Sequence, residues 1–318
     1  MYHSDDAFAM MLLTLPLSPM GDSTVRPLSF DELSALAGKL GVESEGRLSR
    51  LLGQDMFSLM RLFGIDEEYA YRLCLLLGRD MLLSRLVEDC VSKGTEIVTP
   101  FDEPYPENVK QRLGVYYSPI FFAKGNLALL EAPYVGITGI SGIRTAPEVK
   151  KGIEHLLYTC ALNNFGLVTG EEAGVCRLAA GYALENESRL ICALTGGFDD
   201  FTTDEGHAYA IEDGSMLVLS TAHPAAAPNP AVSQLRNKLI FTLSHACFVL
   251  TTDLRRGEAD AAKKKLCDYN YVLTDPSLPQ NASLVNKGFE PVRDLSSFDT
   301  ATHAAKWRRP LAQQMSFL

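Results

Sequence analysis

From Tyr134 to Leu273 the chain alternates short apolar runs with longer stretches of helical period, an order that few folds accommodate. The runs are Tyr134–Thr138, Gly166–Thr169, Arg189–Leu194, Ser215–Leu219, Ala246–Thr251 and Asn270–Leu273. Between and after them, apolar residues recur at helical spacing over Pro147–Asn163, Ala173–Glu185, Asp204–Glu212, Val232–Leu243, Ala259–Leu266 and a short stretch near Ala282–Lys287. Strands without polar alternation are buried on both faces, and helical crossovers return the chain to run parallel. The expected fold class is therefore α/β: a Rossmann-like parallel sheet with helices on both faces. Two earlier extended runs, Thr95–Val98 and Ile120–Lys124, flank a turn-rich segment containing Pro100, Pro104 and Pro106.

The segment before this region has a different period. Leu, Met and Phe recur at helical spacing over Phe8–Leu15, Phe30–Leu40, Glu45–Leu52, Met56–Phe63 and Asp66–Cys90. Breaks fall at Pro16, Pro19, Pro27, Gly41 and Gly64, and Ser29 and Asp31 suit a helix start. Residues 1–93 thus read as a small all-α N-terminal domain, 94–295 as the Rossmann-like core, and the polar stretch 296–318 as a flexible C-terminal tail.

Charge and cysteine usage narrow the function classes. The formal net charge of −10 disfavours indiscriminate binding to DNA, which draws its affinity from Lys and Arg contacts to phosphate, but leaves room for a local basic pocket. Seven cysteines without any CxxC pair read as free thiols in a reducing, cytoplasmic compartment, not as disulfides or a zinc site. No apolar run approaches the roughly 20 residues of a membrane span. Asp5 and Asp6 stand where a secretory leader carries basic residues.

Three successive strand ends carry glycine: Gly139-Ile140-Ser141-Gly142, Thr169-Gly170-Glu171-Glu172-Ala173-Gly174, and Thr195-Gly196-Gly197. In an open parallel sheet, ligands bind beyond the carboxyl ends of the strands, where glycine lets backbone N–H groups approach an anion. Ser141 and Thr169 add hydroxyl donors, so the loops read as a phosphate-holding site. They match neither GxGxxG nor GxxxxGK[ST], and neither a dinucleotide cofactor nor P-loop hydrolysis is expected. His207 neighbours Asp204 and Glu205, while His223, His245 and His303 are isolated. No triad, HExxH or paired-cysteine metal site assembles, so the expectation is a non-enzyme without cofactor or metal.

Taken together, these segments resemble the DNA-processing protein A (DprA/Smf) family. Pro104-Tyr105-Pro106, then Ser118-Pro119-Ile120 through Lys124-Gly125-Asn126 with Leu129-Leu130, is similar to the family's opening motif. Val135–Gly139, Phe165–Val175 and Ile191–Phe198 resemble its three strand-and-loop motifs, and Gln234 to Ile240 resembles its Arg-Asn-Arg helix. The resemblance covers about two thirds of the chain. It implies single-stranded DNA binding by the core, service to a RecA-type recombinase in recombination or natural transformation, and homodimerisation. The family positions carried over are Gly139, Gly170, Gly174, Arg236, Asn237 and Lys238, with Arg236 and Lys238 suited either to phosphate contacts or to a helix face of solvated or salt-bridged cations.

This chain departs from the pattern at several places. Gly142 or a neighbour stands where an arginine is usual, and Arg144 is the substitute. Glu171 and Glu172 replace small apolar residues and would repel DNA unless neutralised, and Cys176 replaces an aspartate. The later loop keeps Gly257 and adds Arg255 and Arg256 to the basic set, while Lys263-Lys264-Lys265 reads as a solvated helix face. The winged-helix domain of many members has no counterpart. Gln314-Met315-Ser316-Phe317-Leu318 is similar to the peptide that engages the bacterial sliding clamp, a second expected partner. Two alternatives compete with a DNA accessory role: a nucleotide- or nucleotide-derivative-binding sensor or hydrolase using the same pocket, in which Glu171 and Glu172 hold ribose or magnesium, and a protein-interaction module with a vestigial pocket.

Overall fold

A computed structural model describes residues 3–18, 25–41, 47–140, 146–199, 201, 203–254 and 257–308. The N-terminal helices are α1 (Asp5–Thr14), α2 (Phe30–Lys39), α3 (Met56–Phe63), α4 (Glu67–Leu77) and α5 (Asp80–Ser92). Local signals set their ends. Ser29 and Glu32 form a reciprocal capping box on α2, and Gly64 closes α3 in the left-handed region at φ 59°. The stretch Asp66–Cys90, expected as one helix, breaks at Gly78–Arg79. Arg79 turns inward, 5% exposed, and its guanidinium donates to the carbonyl oxygens of Leu12, Leu15 and Leu76. A cation thereby satisfies carbonyls at the ends of α1 and α4, which a continuous helix would prevent. Of the expected helix Glu45–Leu52, the described part is a single 3-10 turn, Leu48–Leu51.

The core follows as β1 (Glu96–Val98), α6 (Glu107–Leu113), β2 (Phe121–Gly125), β3 (Tyr134–Thr138), α7 (Pro147–Leu162), β4 (Gly166–Gly170), α8 (Val175–Glu185) and β5 (Leu190–Ala193). It continues with α9 (Glu205–Glu212), β6 (Met216–Ser220), α10 (Pro230–Leu243), β7 (Ala246–Val249), α11 (Glu258–Lys263), β8 (Tyr269–Leu273), α12 (Pro279–Val285), β9 (Glu290–Val292) and α13 (Thr300–Trp307). All nine strands join one sheet in the order β1-β2-β6-β5-β4-β3-β7-β8-β9. The strands β3 to β9 are parallel, as expected. The sheet is nonetheless mixed, because β2 runs antiparallel to β6 and β1 antiparallel to β2. Those two strands are joined through α6 and lie on an edge, outside the crossover rule that governs the rest.

Successive strand residues face opposite sides. Val135, Ile137, Leu167, Cys192, Val218 and Phe248 bury against α7, α8, α9 and α13. Tyr134, Val168, Ile191, Leu217 and Val249 bury against α6, α10, α11 and α12. The N-terminal helices share a separate core that includes Ile97, Ile120 and Phe122 from the antiparallel edge.

The expected flexible tail needs correction over residues 296–308. Helix α13 packs on the sheet, with Trp307 1% exposed and its ring stacked at 6.1 Å on Phe298. One tryptophan and one phenylalanine bury enough apolar surface to fix a segment whose composition is otherwise polar. Residues 309–318, with the clamp-like peptide Gln314–Leu318, lie outside the described residues. Among the described residues no helix is long and apolar enough to cross a membrane.

Candidate functional site

The chain adds β4, β5 and β6 on one side of β3, then returns to place β7, β8 and β9 on the other. The gap between β3 and β7 is thus the topological switch point, where an open α/β sheet offers a crevice beyond its carboxyl ends. The loops after β3 and β7 are stitched together there. The Ile140 N–H donates to Thr251 Oγ1 at 2.9 Å, and a Cβ on Gly139 would overlap Val175 and come within 2.6 Å of Thr251 Oγ1. Glycine at 139 is therefore demanded by the close approach of α8 and the β7 loop. Ser141, Gly142, Arg144, Arg255 and Arg256 lie outside the described residues.

The glycines after β4 answer to an ion pair. A Cβ on Gly170 would stand 2.5 Å from Arg236 Nη1 and 2.6 Å from Glu172 Oε2. Arg236 on α10 is 1% exposed and salt-bridged to Glu172, so it is held inside the fold and not presented to solvent phosphate. Of its two expected roles the structure holds the salt-bridged one, and this also accounts for the acidic residue: Glu172 is neutralised by a cation the chain itself supplies. Glu171 is likewise engaged, accepting from Thr195 N at 2.8 Å and from Thr195 Oγ1 at 2.5 Å, which ties the loop after β4 to that after β5. Gly174 takes φ 101° at the start of α8, a conformation open to glycine.

Three further expectations change. Thr169 is fully buried and spends its hydroxyl on Ile137 O at 2.8 Å, so it offers no donor to a ligand. Gly196 and Gly197 are buried under the 223–228 loop, where Gly197 N donates to Ala226 O and a Cβ on Gly196 would stand 2.7 Å from Pro228 N. Close backbone packing, not anion binding, explains that pair. Asn237 is buried at 2% exposure, whereas Lys238 is half-exposed and has no acidic partner among the described residues. Lys263, Lys264 and Lys265 are exposed, with Lys264 paired to Asp260 at 3.3 Å. Cys176 is buried, its thiol pushed up by burial and directed at Gly139 O at 3.8 Å, beneath the first loop.

Sequence reasoning missed Arg112 on α6. Its Nη1 donates to Thr242 O and Ser244 O, each at 2.8 Å, and its Nη2 to Asp268 at 2.8 Å. A guanidinium on the last carbonyls of α10 anchors the helix that carries Arg236 and Lys238. The surrounding prolines masked α6, and only Val109 with Leu113 hinted at it. The Lys124-Gly125-Asn126 segment is structural: Asn126 Nδ2 donates to Gly214 O at 3.0 Å, and Gly125, at φ 116°, lets β2 approach Met216 at the amino end of β6.

Comparison with known proteins places this arrangement. The chain is similar in structure to DNA processing protein A from Streptococcus pneumoniae, with a TM-score of 0.65 at 17% identity, over 95% of this chain and 98% of that one. It is also similar to DNA processing protein A from Helicobacter pylori, described by its single-stranded DNA binding mode, with a TM-score of 0.50 at 21% identity over 65% and 95% of the two chains. Among curated protein sequences none matches. The sequence model of the DNA recombination-mediator protein A family matches residues 96–286, from β1 to just beyond α12. The chain belongs to the DNA recombination-mediator protein A family.

Proposed function

We propose that this protein is a non-enzymatic accessory factor that binds single-stranded DNA at the β3/β7 switch point, in recombination or natural transformation. The observation that carries the reading is the convergence of two backbone loops there, through Gly139, Ile140 and Thr251. The chain segments leaving those loops contain Arg144, Arg255 and Arg256, and Lys238 adds a cation on the neighbouring helix. The solved Helicobacter pylori relative is described by its binding of single-stranded DNA, which supports the same ligand class. The internal neutralisation of Glu172 removes the electrostatic objection to a strand at this place.

Four finer features belong to the same proposal. The bound strand is handed to a RecA-type recombinase, the Gln314–Leu318 peptide recruits the sliding clamp, the core forms a homodimer, and the protein works in the cytoplasm. Free cysteines, six of the seven buried, fit a reducing compartment.

The test is fluorescence anisotropy with an oligo-dT of about 20 nucleotides, titrated at several salt concentrations. Affinity is expected to fall with log salt at a slope of about 0.7 per neutralised phosphate, and Lys238→Ala should reduce that slope by about one contact. Absence of binding at low salt, or binding that ignores salt, overturns the reading. Deleting 313–318 should abolish binding to purified clamp while leaving oligo-dT affinity unchanged.

A further inference from the structure

Between α8 and α9, on the face of the sheet opposite Arg236, lies a cavity of about 410 Å³ that opens beside the loop after β4. Its floor is apolar, formed by Ala180, Leu184 and Cys192. One wall is aromatic: His207 and Phe201 meet edge to face at 5.3 Å, and Asp204 fixes the imidazole through a 2.6 Å contact to Nδ1. Arg177 stands exposed at the rim.

Two observations show that the space is kept open and lacks a partner. Gly181 lies inside α8, where glycine is the poorest helix former after proline, yet nothing lies within 4 Å of the place its Cβ would occupy. No neighbour demands glycine there; a side chain would simply fill the cavity. Glu171 lines the same space, and while its Oε1 is held by Thr195, its Oε2 is buried without a hydrogen-bond partner among the described residues. A buried carboxylate oxygen calls for a donor.

We infer that this cavity receives a nucleobase carrying an exocyclic amine (adenine, cytosine or guanine). The flat ring lies on the apolar floor beside the His207–Phe201 wall, the amine donates to Glu171, and a phosphate stays outside at Arg177. Two carboxylates, Glu171 and Asp204, disfavour an anion within. Thymine, which offers carbonyl oxygens in place of the amine, is the disfavoured base. The base can come from an unpaired position of a bound strand or from a free nucleoside. The first source rests on the single-strand reading above; the second does not.

The experiment compares anisotropy titrations of oligo-dT with the same oligonucleotide bearing one central dA or dC. Wild-type protein should bind the substituted strands about tenfold more tightly, the value of one charge-assisted hydrogen bond. Gly181→Leu should erase that preference while keeping oligo-dT affinity within about twofold and the thermal midpoint at or above wild type, since leucine favours the helix. Glu171→Gln, which replaces the free acceptor by a donor, should turn the preference toward dT. Equal wild-type affinities for dT, dA and dC strands, or a preference that survives Gly181→Leu, overturn the base pocket and leave the strand reading intact. If no strand binds, the strand reading fails, and thermal shifts with adenosine and cytidine decide the pocket. Stabilisation lost in Gly181→Leu upholds it, and none in wild type overturns it.

Discussion

Glu172, in the loop after β4, and Arg236, on α10, form an ion pair in the space that Gly170 leaves free, with the arginine side chain 1% exposed and the glutamate 14%. The residue that looks most hostile to a nucleic-acid site is thus the counter-ion of a buried cation. Losing one partner of such a pair strands a charge in a poorly solvated place. Glu172→Ala is expected to lower the unfolding free energy by about 3 kcal/mol, measured by urea denaturation. Glu172→Met combined with Arg236→Met should recover most of the loss, because two apolar side chains of similar length need no compensation. A loss below about 0.5 kcal/mol for Glu172→Ala would show that the pair carries no such weight.

Arg112 binds two carbonyls at the C-terminal end of α10, those of Thr242 and Ser244, and bridges to Asp268. Because it is half-buried, its removal leaves acceptors that water reaches poorly. Arg112→Ala should cost about 2 kcal/mol and raise hydrogen exchange at the C-terminal end of α10. Arg112→Lys should recover only part of this, since an ammonium cannot span both carbonyls and the carboxylate in one plane. Exchange that rises evenly along the whole helix would argue against a cap.

These examples show what the sequence could carry. The alternating apolar runs disclosed β3 to β8 and the helices between them, because burial on both faces leaves a pattern in residue type alone. The antiparallel edge was not legible as such: direction is set by the partner β6, remote in sequence. Nor was the division of labour among the glycines. Gly139, Gly170 and Gly197 look alike in the sequence, yet one yields to Val175 and Thr251, one to an ion pair and one to the 223–228 loop. Arg236 likewise could not be assigned to a phosphate or to an internal ion pair, because a cation on a helix says nothing of its burial, and the neutralising Glu172 lies 64 positions earlier.

Two histidines should make stability depend on pH. Burial pulls His223 below its ordinary value, and burial with the Arg112 guanidinium does the same to His245. A base whose folded pKa is lowered takes up its proton more readily in the unfolded chain. Stability is therefore full above the unfolded value of about 6.5 and declines as pH falls from there through the lowered folded values. His245→Gln should flatten the decline of the urea midpoint between about pH 6.5 and 5, leaving the value at pH 8 little changed relative to its own baseline. A mutant curve parallel to wild type would remove His245 as a source.

Trp307 tests whether the end of the described chain belongs to the core. Its ring meets Phe165 edge to face at 5.6 Å and Phe248 at 6.1 Å, and its Nε1–H donates to Tyr271 O–H oxygen at 3.2 Å. Next to it, Arg308 lies 5.6 Å over the Phe165 ring and donates to Asn163 O. An indole buried against five other rings is worth far more than a polar stretch of this composition suggests, and Trp307→Ala is expected to cost about 4 kcal/mol. Trp307→Phe should cost about half as much, since it keeps the ring packing and loses the indole N–H. Because α13 packs on α7 and, through Trp307, on β7 and β8 on the face away from α10, the loss should register as global destabilisation, with native oligonucleotide affinity unchanged at low temperature. Equal urea midpoints for wild type and Trp307→Ala would show that α13 rests on the sheet without supporting it.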